Sequence, residues 1–141
     1  WNISYVNGWT EALEYMNVPG GSLSKPLAPE VVDDGLHLGG TVYSDGQHIV
    51  GDDSSVTVDA SGNVRIVYMD ATAGTLHEAV GAPASSGTHT WTVKAISQTG
   101  KFAGYFPHYV AQSQMIENWY RATDHSMNPP AVTGNVAFVA P

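Results

Sequence analysis

The chain has 141 residues, a formal net charge of −8 and only five lysines and arginines, which excludes the basic surface that a nucleic-acid backbone requires. It contains no cysteine, so disulfides and thiolate metal sites are excluded, and no apolar run approaches the ~18 residues needed to span a bilayer. Charged residues make up 13% and hydrophobic ones 43%, with fifteen glycines, a balance that favours strands and turns over helices.

Taken in order, Trp1 to Val6 alternates apolar and polar residues as a half-buried strand does, and Asn7-Gly8 supplies a turn. Trp9 to Val18 reads as helix from Thr10-Glu-Ala-Leu-Glu, or as a strand with Leu13, Tyr15 and Asn17 on one face; the strand reading is adopted because Trp9-Thr10 matches Trp91-Thr92. Pro19 to Pro29 holds three prolines and two glycines and cannot form a regular element. Leu36 to Tyr43 and Gln47 to Val50 flank Asp45-Gly46, a strong hairpin signal.

The clearest pattern runs from Ser54 to Thr99. Val56-Thr57-Val58, Val64 to Tyr68, Leu76 to Val80 and Thr90 to Ser97 are β-rich runs, separated by turns at Asp59–Asn63, Asp70–Gly74 and Gly81–Gly87. They predict a four-stranded antiparallel meander. Tyr105 to Ala111 and Met115 to Arg121, laid 51 residues upstream, fall on Ser54–Ala60 and Val64–Asp70, although Glu117 then meets Ile66. Gly134 to Pro141 matches the run that begins at Gly74. Self-similarity at this period is the mark of a repeat architecture.

Residues 58–79, followed by Trp91-Thr-Val, resemble the blade repeats of secreted bacterial β-propellers. The resemblance covers residues 54–104, extends more weakly over 105–141 and is echoed only by Trp1–Thr10 upstream. It implies an all-β fold of consecutive antiparallel four-stranded meanders, β-propeller-like, with a self-contained β-sandwich as the alternative. The chain is then a single all-β domain (1–141) or part of a larger propeller. Its expected divisions are an irregular N-terminal portion with one or two strands (1–35), a hairpin plus the clear blade (36–104), and a second blade-like portion (105–141).

A propeller of 4–8 blades at roughly 45–50 residues each exceeds this length, so other chains are expected to close it, as copies or as the remainder of a processed precursor beginning before Trp1. The low charge and the Thr, Ser, Gly and Asn content point to a secreted or cell-surface location.

Chemistry-bearing residues are sparse. The six histidines form no His-x-His or His-Glu-x-x-His pattern, and no Gly-x-Ser-x-Gly elbow is present. His77-Glu78 lies mid-strand with its side chains on opposite faces, and His108 is expected to be partly buried and hydrogen-bonded. Asp33-Asp34 and Asp52-Asp53 bracket the Asp45 turn and make Ca²⁺ the one cofactor to consider, although no Asp-x-Asp-x-Asp-Gly loop exists.

The candidate ligand-binding residues are Trp119 and Tyr120, neighbours on a strand, with Asp124 and His125 in the loop that follows; an exposed ring there would stack on a glycan or anchor a partner chain. The reading is an exported, non-enzymatic structural or binding chain. Its alternatives are a carbohydrate-binding module, and a metal-dependent or hydrolytic propeller whose site is shared between chains.

Overall fold

The computed structural model describes residues 1–21, 28–37, 40–96, 101–110, 113–124 and 131–141. It is all-β. Among the described residues ten strands form three antiparallel sheets: β1 (Asn2–Asn7), β2 (Ala12–Asn17) and β3 (Glu30–Asp33); β4 (Val50–Val58), β5 (Val64–Asp70), β6 (Thr75–Pro83) and β7 (His89–Ala95); β8 (Lys101–Val110), β9 (Met115–Asp124) and β10 (Ala131–Val139). Each sheet is a meander in chain order. Among the described residues no helix is long and apolar enough to cross a membrane.

The predicted four-stranded meander is the central sheet, whereas its two neighbours have three strands each. Residues 1–35 hold three strands rather than one or two, since Glu30–Asp33 pairs with β2. Trp9-Thr10 does not open a strand; it lies in the turn closed by Glu11 N–H to Asn7 C=O at 2.8 Å, and Trp9 is 93% exposed. The Asp45-Gly46 turn forms, with Gly46 N–H on Tyr43 C=O at 3.1 Å, but the described residues flanking it, 36–37, 40–43 and 47–49, form no strand. Among the described residues isolated bridges join His37 to Thr41 and Tyr43 to Gly46, and side-chain bonds of His48 to Asp45 and Asp70 hold the segment.

The central sheet is covered on both faces. Alternation along β5 and β6 sends Val64, Ile66, Tyr68 and Ala79 against Leu13, Tyr15 and Val32 of the first sheet. The opposite face sends Val67 and Leu76 against Ala103 and Ile116 of the third. The turns match their chemistry: Asp59 accepts from the N–H of Ser61 and of Asn63, both at 2.9 Å, and so closes the β4–β5 hairpin.

Both interfaces are built the same way. β4 carries Gly51 at φ +98° and Asp53 at +51°, and β8 carries Gly104 at +100° and Phe106 at +47°. Each glycine sits under the preceding sheet: a Cβ on Gly51 would lie 3.0 Å from Leu13 Cβ, and one on Gly104 3.2 Å from Leu76 Cα. Each strand is also tied to the preceding hairpin turn, by Val50 N–H to Glu11 C=O (3.1 Å) and Ala103 N–H to Gly74 C=O (2.9 Å). The pairings Val50↔Asp70, Ser55↔Val67 and Val56↔Ile66 recur as Ala103↔Tyr120, His108↔Glu117 and Tyr109↔Ile116. Ile116, not Glu117, therefore occupies the place of Ile66. The uniform shift read from sequence misses this because the two strands are displaced by different amounts, and only backbone pairing reveals it.

Candidate functional site

A cleft of about 680 Å³ opens between the first and second sheets, lined by Asp33, Asp34, His37, Tyr43, His77 and Trp91 together with the rest of the β7 edge. Beside its apolar lining by Val32, Leu36 and Val93 lies a cluster of buried polar groups. The Tyr68 hydroxyl donates to Asp33 Oδ2 at 2.5 Å, and Gly35 N–H donates to Asp33 Oδ1 at 2.9 Å. Burial, then the Asp33 charge, pushes the Tyr68 hydroxyl far above its ordinary value, so it stays a donor. His77 lies beside them with Nδ1 3.9 Å from Asp33 Oδ2 and Nε2 3.1 Å from Thr75 Oγ1. Burial lowers its pKa against the opposing pull of Asp70 and Asp33, which favours the neutral ring, and its Nδ1 is buried without a hydrogen bond.

The segment over one end of the cleft is clamped by His48. Its Nδ1 lies 2.6 Å from Asp70 Oδ2 and its Nε2 3.1 Å from Asp45 Oδ1. Both ring nitrogens can donate to carboxylates only in the imidazolium form. Above the ring, Tyr43 stacks at 4.0 Å between centroids and His37 tilts onto Tyr43 at 3.7 Å. Burial pulls the His48 pKa down, but the hydrogen bonds and charges of Asp70 and Asp45 outweigh it, and the net shift is upward.

A raised folded-state pKa contributes stability that is complete below the ordinary histidine value and is lost as pH rises through the raised one. Unfolding free energy is therefore expected to fall as pH rises from the ordinary histidine value through the raised one, with a matching loss of amide protection at His48, whose N–H donates to Gly35 C=O at 2.9 Å. His48→Gln should flatten that slope. A slope unchanged by the substitution would assign the titration elsewhere.

At the other end, Glu30 joins the sheets, accepting from His89 N–H at 2.9 Å and Trp91 Nε1 at 3.0 Å, while Tyr15 meets both rings edge-on. Asp34 accepts from Leu36 N–H at 3.1 Å, and Asp53 from Phe106 N–H at 3.4 Å. Thus Asp34 and Asp53, one from each acidic pair proposed for Ca²⁺, are engaged in separate bonds to different segments. Among the described residues no three histidine, aspartate or glutamate side chains converge as a metal site.

Trp119 and Tyr120 fall on opposite faces of β9. Trp119 is 47% exposed on the outer face, in register with Val136 and beside exposed Phe138, and its ring is 3.8 Å from where a Gly134 Cβ would stand. Tyr120 turns inward to the second core cluster. Asp124 closes β9, and His125 lies outside the described residues. His108 is exposed rather than partly buried, with its Nδ1 3.5 Å from Ser55 Oγ, because it lies on the bulged edge strand β8.

Asp33, Asp34 and His77 are legible in the sequence as single chemistry-bearing residues, but their convergence with His37, Tyr43 and Trp91 is not, because they come from separate segments. No family model, no curated protein and no solved structure matches the chain.

Proposed function

We propose that this chain is an exported, non-enzymatic structural and binding protein, β-propeller-like, whose outer sheets are completed by strands from outside it. The observation that carries this reading is the mismatch between the central sheet and its neighbours. By register, β1 and β2 correspond to β5 and β6, since Val6↔Leu13 and Asn7↔Ala12 parallel Met69↔Leu76 and Asp70↔Thr75. Among the described residues the first sheet then has no counterpart of β4, and the third, by the same comparison, has no counterpart of β7. Unpaired edges and half-covered sheets attract strand addition. The outer face of the third sheet adds Trp119, Val136 and Phe138, an exposed apolar row of the kind that marks interfaces.

Native mass spectrometry of the assembly tests this reading. A complex heavier than the 15.0 kDa chain is expected, and Phe138→Pro should reduce it, because Phe138↔Glu117 corresponds to Glu78↔Val67, and the bond from Ile96 N–H to Leu76 C=O fixes the even residues of β6 as turned away from β5. A lone, fully soluble 15.0 kDa particle would overturn it.

A second reading, a carbohydrate-binding module, draws support from the exposed Trp119 ring beside side-chain-free Gly134, an aromatic surface suited to stacking on a sugar. A glycan screen that leaves tryptophan fluorescence unmoved would remove it.

A further inference from the structure

The edge of β7 faces the cleft with its backbone exposed. Ile96 N–H bonds to Leu76 C=O at 2.8 Å, and Ala84 N–H bonds to Thr88 C=O at 2.9 Å, which fixes the even-numbered residues of this region as those bonded to β6. Antiparallel alternation then turns the N–H and C=O groups of His89, Trp91, Val93 and Ala95 to the other side. Glu30 takes the first of these, the His89 N–H. Among the described residues none pairs with the backbone of Trp91, Val93 or Ala95 on that side.

The cleft is lined by five successive residues, Trp91 to Ala95, whose side chains alternate between faces. Open space touching all five must run along the strand edge. A volume of about 680 Å³ accommodates a short extended segment there, at ~3.3 Å per residue.

The charge across that space is negative. Asp33 and Asp34 face it, and the cation among the lining residues, Lys94, is drawn to the opposite face of the sheet with its Nζ 3.3 Å from Glu78 Oε2. His77 adds a buried ring nitrogen that has no hydrogen-bond partner among the described residues. A neutral or acidic segment would leave these carboxylates without a counter-charge, whereas lysine or arginine would meet them.

We propose that β7 is a docking edge for an extended, cationic peptide segment of another protein, which adds to the central sheet as a fifth strand and places lysine or arginine side chains against Asp33 and Asp34. Main-chain hydrogen bonds to Trp91, Val93 and Ala95 supply affinity, and the acidic wall supplies selectivity. This site is separate from the vacant edges of the outer sheets.

The test uses the intact chain and a fluorescein-labelled, end-capped heptapeptide of alternating lysine and valine, read by anisotropy. Saturable binding is expected, and the same peptide with glutamate for lysine should bind at least about tenfold more weakly. Asp34→Asn should weaken the lysine peptide. Two further peptides, N-methylated on alternate backbone nitrogens in the two possible registers, probe the strand geometry without altering the protein. One should lose about tenfold or more in affinity and the other should retain it. Val93→Pro, which removes an outward N–H and no bond to β6, should weaken binding similarly. Equal affinity of the two methylated peptides, equal affinity for lysine and glutamate, or no saturable binding up to ~1 mM would each overturn the proposal.

Discussion

Gly51→Ala is expected to lower the unfolding free energy by about 3 kcal/mol, close to the loss from excavating a core leucine. Two costs combine. At φ +98° an L-side chain is strained, and the new methyl would stand 3.0 Å from Leu13 Cβ and 3.2 Å from Leu13 Cα. The second distance involves backbone, so rotamer changes in Leu13 cannot relieve it. Leu13 is fully buried in the cluster that joins the first two sheets, and pushing it back loosens Tyr15 and Val32 with it. Urea unfolding of the variant measures the effect. A loss under about 1 kcal/mol would mean that β2 is not seated on β4 as described.

Arg65→Met should cost about 3 kcal/mol, at the lower end of the range for removing one partner of a buried ion pair. Glu78 is fully buried, and Arg65 Nη1 is its hydrogen-bonding partner at 2.7 Å. Its other oxygen has Lys94 at 3.3 Å but no hydrogen bond, so the remaining cation offsets only part of the loss. The guanidinium also bonds Asp59 at 3.3 Å and lies 5.5 Å from the Tyr109 ring centroid, which ties the β4–β5 turn to the third sheet.

The diagnostic is the double variant. With Glu78→Met added, no buried charge is left uncompensated, and the loss should shrink to about 1 kcal/mol. If the double variant is as unstable as the sum of the singles, the pair acts through packing alone.

These two sites differ in how visible they were beforehand. Arg65 and Glu78 belong to adjacent strands whose turns were readable from Asp59–Asn63 and Asp70–Gly74, and a period of two places Arg65 and Glu78 on one face of the sheet once the hairpin register is set. Gly51 gave no such sign. Its requirement comes from Leu13, 38 residues earlier in the sequence, and nothing local distinguishes a glycine under a neighbouring sheet from one in a turn. Glu30–Asp33 was missed for a related reason: four residues after a proline-rich run carry too little periodicity, and pairing with β2 makes them a strand.

Length, charge and the spacing of turn residues were sufficient for an all-β chain with a central four-stranded meander, because alternation and turn chemistry act between near neighbours along the chain. The stacking of three sheets, the bulges at Gly51 and Gly104, and the joining of Asp33, His48, Asp70 and Trp91 around one cleft were decided by tertiary packing. Those contacts span tens of residues, and their partners are selected by shape, burial and charge across faces that the order of the sequence leaves unspecified.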